Sequence, residues 1–192
     1  MNTTFFIVLL ALAIVFVFIS IYNRLIRLIE TVNNNKKQID IQLDRRFKVY
    51  ESLIEVVKKY MDYEKTTLKD VVALRSQAQK AQASGNEDMR IKAEEAISKA
   101  GSGISLMFEN YPDLKADKNA LQLQEEIVNT ENKLTFSKQA YNDSVEQYEA
   151  KRKSLFESII VGIFPQKLLK EFVYWGISDE KRQEQEEYKV KL

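Results

Sequence analysis

Phe5-Phe6-Ile7-Val8-Leu9-Leu10-Ala11-Leu12-Ala13-Ile14-Val15-Phe16-Val17-Phe18-Ile19 is an unbroken apolar run, and no charged side chain occurs between Met1 and Asn23. Arg24 and Arg27 follow at once. A helix rises about 1.5 Å per residue, so roughly twenty residues cross the ~30 Å hydrocarbon core of a bilayer, and Phe5 to Tyr22 is long enough to span it. Inside lipid each backbone amide needs an internal partner, which a helix supplies unaided. A cleaved signal peptide is a poorer reading. Met1-Asn2-Thr3-Thr4 has no basic side chain, and Ser20-Ile21-Tyr22-Asn23 has no Ala-x-Ala pattern. The chain has no cysteine, so a lipoprotein-type anchor is excluded. Arg24, Arg27, Lys36 and Lys37 all lie on the C-terminal side of the run. The expectation is a single-pass protein of the cell (plasma or inner) membrane, with its N-terminus outside and its body in the cytoplasm.

Working outward, the rest of the chain is charged. Lys and Arg number 29 against 28 Asp and Glu, which leaves no broad basic field for nucleic acid. Histidine is absent as well as cysteine. That removes the usual general base, the thiolate nucleophile and the usual zinc ligands, so no catalytic residue, cofactor or metal is expected. Five glycines and two prolines are too few for the turns of an all-β domain.

Apolar spacing of three, four or seven residues marks four helical stripes. The first runs from Leu25 through Val32, Ile39, Leu43, Phe47, Tyr50 and Leu53 to Tyr60. The second covers Leu68, Val71, Leu74 and Ala78 and stops before Ser84-Gly85-Asn86. The third takes Met89, Ala93, Ile97, Ile104 and Phe108, passes through Gly101-Ser102-Gly103, and ends at Tyr111-Pro112. The fourth begins near Asp117 and runs through Leu123, Ile127, Leu134, Tyr141 and Tyr148 to Leu155. Two long stripes flank two short ones. The expected fold is all-α: a transmembrane anchor (residues 1–23), then an antiparallel up-down four-helix bundle (24–156). An apolar, amphipathic segment (157–176) and a charged tail (177–192) complete it. A break between the first two stripes is placed at Met61-Asp62-Tyr63, with Asp62 as N-cap.

Ile39-Asp40-Ile41-Gln42-Leu43-Asp44-Arg45-Arg46 resembles the Ile-Asp-Val-Gln-Leu-Lys-Arg-Arg stretch of the LemA family. Leu53-Ile54-Glu55-Val56-Val57-Lys58-Lys59-Tyr60 and Glu64-Lys65 extend the match. Tyr111-Pro112-Asp113-Leu114-Lys115-Ala116, Leu121-Gln122-Leu123-Gln124-Glu125-Glu126, Thr130-Glu131-Asn132, Tyr141-Asn142 and Tyr148 complete it. The resemblance implies a bacterial membrane-anchored antiparallel bundle with no established catalytic site. One branch of the family is associated with magnetosome membranes, which points to membrane organisation. Three positions depart from the pattern. Glu51-Ser52 replaces a Pro-Asn pair, so a kink there is not expected. Lys36 replaces an aromatic residue. Tyr63-Glu64 replaces His-Glu, so no role of that histidine transfers.

The matched polar residues Asp40, Arg45, Arg46, Glu131 and Asn132 fall on the two long helices. They are expected to form a structural polar layer that fixes helix register. Farther on, Ile159, Ile160, Ile163, Phe164, Leu168, Leu169, Phe172, Tyr174 and Trp175 are expected to meet the membrane or another subunit. Pro165 would open a short helix with Leu168, Leu169, Phe172 and Val173 on one face. The function expected is a non-enzymatic scaffold, with the lipid bilayer and further copies of itself as partners, that organises or shapes the membrane. The alternative is a tethered adaptor that binds a membrane protease or signalling protein through the bundle surface.

Overall fold

The computed structural model describes residues 3–59, 65–110 and 112–176, with side chains described outside 65–69, 101–110 and 115. Among these residues every regular element is a helix: α1 (Thr3–Val57), α2 (Lys65–Ala83), α3 (Glu87–Asn110), α4 (Pro112–Ala116), α5 (Lys118–Arg152), α6 (Leu155–Ile163) and α7 (Pro165–Leu168). The long apolar N-terminal helix expected from the sequence is present. It does not stop at Asn23, where the anchor was set apart from the bundle. α1 continues for 55 residues to Val57 and passes through Glu51-Ser52. The chemistry explains this: the first glycine is Gly85 and the first proline Pro112, so nothing in α1 opposes helix strongly. The break placed at Met61-Asp62-Tyr63 lies outside the described residues, as does the tail from residue 177.

The chain divides into two compact units, one from residues 1–38 with 139–174 and one from 39–138 with 175–192. Both divisions between the larger pieces fall inside helices, α1 and α5, not in loops. The core of the second unit draws on five helices. Val49, Tyr50, Leu53, Ile54 and Val57 from α1 join Val71 of α2, Ile97 of α3, Leu114 of α4, and Ala120 and Ile127 of α5. Each fully buried Leu, Ile or Val contributes about 1.5–3 kcal/mol of apolar transfer.

Three caps set the ends of these helices. After α2 the Asn86 amide donates to the Ala81 carbonyl at 2.9 Å, and the Gly85 amide donates to the Gln82 carbonyl at 3.1 Å. This is a Schellman ending, and it needs the left-handed φ of 73° that Gly85 adopts. Asn86 then accepts the Met89 amide on Oδ1 at 3.0 Å and so starts α3. At α5 the Asp117 Oδ1 accepts the amides of Asn119 at 2.7 Å and Ala120 at 3.2 Å. The start near Asp117 expected from the sequence is thus the N-cap. α3 runs without a break through Gly101-Ser102-Gly103.

In the first unit α1 buries Leu25, Ile29 and Val32, while α5 buries Tyr141, Val145 and Tyr148. Asn35 Nδ2 on α1 donates to the Ala140 carbonyl on α5 at 3.0 Å. α5 ends at Arg152, earlier than the stripe through Leu155 suggested, and Leu155 instead opens α6. The helix expected after Pro165 is a single turn, and residues 169–175 have no regular structure. The reason is local. The Tyr148 hydroxyl donates to the Leu168 carbonyl and accepts the Lys170 amide at 2.9 Å. Those backbone groups have partners outside any helix, and the chain leaves α7 extended, with Leu169 at φ −90° and ψ 100°.

Candidate functional site

The second unit buries a charge network beside its core. Arg46 of α1 is 1% exposed. Its Nη1 donates to Ser98 Oγ at 2.7 Å and to Glu131 Oε1 at 3.3 Å. Its Nη2 pairs with the carboxylate of Glu94 and also reaches the Glu94 carbonyl at 3.3 Å. Glu94, equally buried, accepts from Arg75 Nη1 at 3.4 Å. Ser98 Oγ lies 3.4 Å from Glu131 Oε2. The cluster therefore joins α1, α2, α3 and α5 through two guanidiniums and two carboxylates. A buried ion left unpaired is costly, and here the charges are matched.

The surroundings titrate accordingly. Burial, reinforced by the Glu131 carboxylate, pushes the Tyr50 phenol up to about 12. Burial lowers the pKa of Lys138, and the positive charge of Arg46 lowers it further.

The five polar residues singled out in the sequence separate into four kinds. Arg46 and Glu131 meet in the network just described. Asp40, half-buried, pairs with the buried guanidinium of Arg90 on α3. Arg45 pairs with Glu126 of α5 at the surface, where such pairs contribute little. Asn132 is exposed. The carboxylates Glu126 and Glu131 are engaged by arginines, and among the described residues no group of three His, Cys, Asp or Glu is placed to hold a metal ion.

Sequence reasoning missed Arg75, Arg90, Glu94 and Ser98. A signal was present in α3. Glu94 stands between Ala93 and Ile97 on the apolar face, and Arg90 precedes it by one helical turn. Charges at core positions of a stripe need buried partners.

The second unit also takes up Trp175. It is 2% exposed, with the Arg90 guanidinium and the Lys138 ammonium each 5.4 Å from its ring. Trp175 was expected at a membrane or subunit contact and is instead covered by its own chain. The cause is attraction between cations and its ring face.

In the first unit the remaining contact residues divide. Ile160 and Leu168 are buried and Phe172 is half-buried against Tyr148, ring to ring at 5.5 Å. Ile159, Ile163, Phe164, Leu169 and Tyr174 stay exposed, and so do Leu155 and Phe156. α6 therefore presents an apolar outer face. Phe164 stacks edge-on against Phe18 at 6.1 Å and Tyr22 at 5.3 Å on α1. Tyr141 fastens the extended segment by donating to the Val173 carbonyl at 3.1 Å. Glu157, buried on α6, pairs with Lys151 Nζ at 2.8 Å. That bond holds its carboxyl below the usual carboxylate range, against the opposing effect of burial.

The apolar stretch of α1 belongs to the one helix among the described residues that is long and apolar enough to cross a membrane, and no residue of that stretch is buried.

Comparison with known proteins agrees with the motifs. A protein LemA from Metamycoplasma hominis is 27% identical over 136 residues, which is 71% of this chain and 61% of that protein. The chain thus matches less than two thirds of that relative's length. The sequence model of the LemA family covers residues 35–191, beginning just beyond the apolar run and including every element from the middle of α1 onward. On that match the chain belongs to the LemA family.

Proposed function

We propose that this protein is a membrane-anchored structural scaffold that self-associates and organises or shapes the bilayer without catalysis. The observation that carries this reading is α1. The apolar span passes into the polar part of the chain as one helix, with no loop between them. A tethered enzyme has no need of such a connection, whereas a scaffold that transmits force or position to the bilayer does. The exposed apolar side chains of α6, Leu155, Phe156, Ile159 and Ile163, supply apolar surface for lipid or a second copy. The absence of histidine and cysteine from the sequence supports a non-catalytic role. In this reading α1, α2, α3 and α5 form an antiparallel up-down four-helix bundle, and the C-terminal segment lies at the interface. The buried Arg46 cluster fixes helix register. The body is cytoplasmic and the N-terminus outside, as the basic flank directs.

A second reading, a tethered adaptor for another membrane protein, is favoured by one feature. Leu121, Val128 and Phe136 are exposed along one side of α5. Apolar side chains in such a row suit a partner helix.

The test is the mass and composition of the complex extracted from native membranes in mild detergent. Many copies of this chain alone support the scaffold. A second protein at fixed stoichiometry overturns it in favour of the adaptor. Orientation is read with a Ser84→Cys variant and an impermeant thiol reagent, and labelling in intact cells would place the body outside and the N-terminus within.

A further inference from the structure

We propose that a groove between α1 and α6 holds one acyl chain of an anionic glycerophospholipid, with the headgroup phosphate facing Arg24 and Lys151. The inference goes beyond the scaffold reading but rests on its placement of α1 across the bilayer.

The groove is shallow and open on its outer side, offers about 360 Å³, and is lined by apolar side chains, among them Ala13, Val17 and Ile21 of α1 and Phe156 and Ile159 of α6. Its α1 wall lies entirely within the uncharged N-terminal stretch, so an occupant must be apolar too. From Ala13 to Ile21 the helix rises about 12 Å, which fits inside a single leaflet of ~15 Å. The lining offers almost no polar surface, which suits a linear hydrocarbon chain.

Bulk lipid competes for any surface in the bilayer, so apolar contact alone confers little preference. Selectivity must come from the end of the groove. Arg24 follows Val17 by seven residues and so lies on the same helix face, one turn beyond Ile21. Its charge acts on Glu157, the carboxylate that Lys151 Nζ contacts at 2.8 Å. Two cations therefore stand against one carboxylate, leaving a positive excess where the groove meets the headgroup zone. An anionic headgroup matches that excess and a zwitterionic one does not.

The experiment uses the full chain in phosphatidylethanolamine vesicles doped with a diazirine-acyl phosphatidylglycerol. Photolabelled peptides are mapped by mass spectrometry after co-sedimentation. Labelling should concentrate at Phe156, Ile159 and Ala13 over Leu12 and Ile19, which face away on α1. Ile159→Trp, at an exposed position, fills the groove and should reduce labelling at Ala13 to the level at Leu12. Arg24→Gln with Lys151→Gln should abolish the preference for this probe over one with a phosphatidylcholine headgroup. Even labelling around α1, unchanged labelling in Ile159→Trp, or cross-links from Ile159 to a second copy of the chain would each overturn the proposal while leaving the anchor intact. A chain that fails to sediment with vesicles overturns the anchor as well, so the two failures are distinguishable.

Discussion

The two units lean on different polar contacts. In the second, two guanidiniums and two carboxylates satisfy one another: Arg46 with Glu94 and Glu131, and Arg75 with Glu94. In the first, one Lys151–Glu157 pair is joined by tyrosine hydroxyls, with Tyr141 and Tyr148 bonded to the carbonyls of Val173 and Leu168. The difference follows from what each must hold. Inside a helix the backbone N–H groups are already paired, so at least one partner of each polar contact between facing helices is a side chain. An extended segment has unpaired carbonyls and amides, and a neutral hydroxyl satisfies them at low desolvation cost. Ion pairs link regular elements here, and phenols fasten the irregular segment.

This contrast is most sharply tested at Glu94. Glu94→Ala leaves Arg46 buried with only the half-buried Glu131 as a carboxylate partner and should cost about 3–5 kcal/mol in denaturant unfolding of the detergent-solubilised chain. Replacing the pair together, Arg46→Met with Glu94→Leu, should recover most of that loss. A cost below about 1 kcal/mol for Glu94→Ala would mean that the cluster behaves like a solvated surface pair.

Next in size is a dependence on alkaline pH. The Tyr50 phenol rises from 10.0 to about 12, so the folded state keeps a proton that the unfolded chain releases first. Its stabilisation is complete below pH 10 and disappears as the pH climbs to about 12. Comparing the protein with Tyr50→Phe across that interval should isolate about 2–3 kcal/mol. Parallel pH profiles for the two proteins would remove Tyr50 from the account.

In the first unit Tyr148→Phe removes two hydrogen bonds at once. The expected loss is about 1–3 kcal/mol, confined to the segment it fastens. Hydrogen exchange at the Lys170 amide should accelerate while exchange in α2 and α3 stays unchanged. Uniform acceleration would show that the fastening supports the whole fold. The smallest effect is expected at Asn132→Ala. An exposed side chain should change the unfolding midpoint by no more than about 0.5 kcal/mol, although it belongs to the same sequence motif as Glu131.

That last pair shows how far the sequence can be read. The positions of α2, α3 and α5 were legible because stripes of apolar residues end at recognisable signals: Gly85 in the left-handed region, Asp117 as a cap, Pro112 after Tyr111. The apolar run was legible from length alone. Half of the charge network was legible too, since Arg46 and Glu131 stand out in family-like motifs. Arg75, Arg90 and Glu94 were not, because a charged residue in an amphipathic helix reads as solvated unless its phase is checked against the apolar face. The extended course after α7 was hidden for a different reason. The sequence around Leu168 and Phe172 has helical spacing, and the hydroxyl that competes for its backbone comes from Tyr148, twenty residues away. Local periodicity does not register a distant hydrogen bond.

The unbroken helix α1 has a consequence in rotation. The side of the span that meets α6 at Ile14, Val17 and Ile21 leads, at steps of three and four residues, into Leu25, Ile29 and Val32, which are buried in the same unit. The apolar span is therefore keyed: its azimuth about the helix axis is set by the residues that follow it. One residue inserted after Asn23 would turn the span by about 100° and direct its α6-facing side elsewhere. Seven would turn it by only about 20° and nearly restore the match. Composition alone treats this span as a greasy cylinder, indifferent to which side faces where. Its continuity with the chain gives it a front and a back.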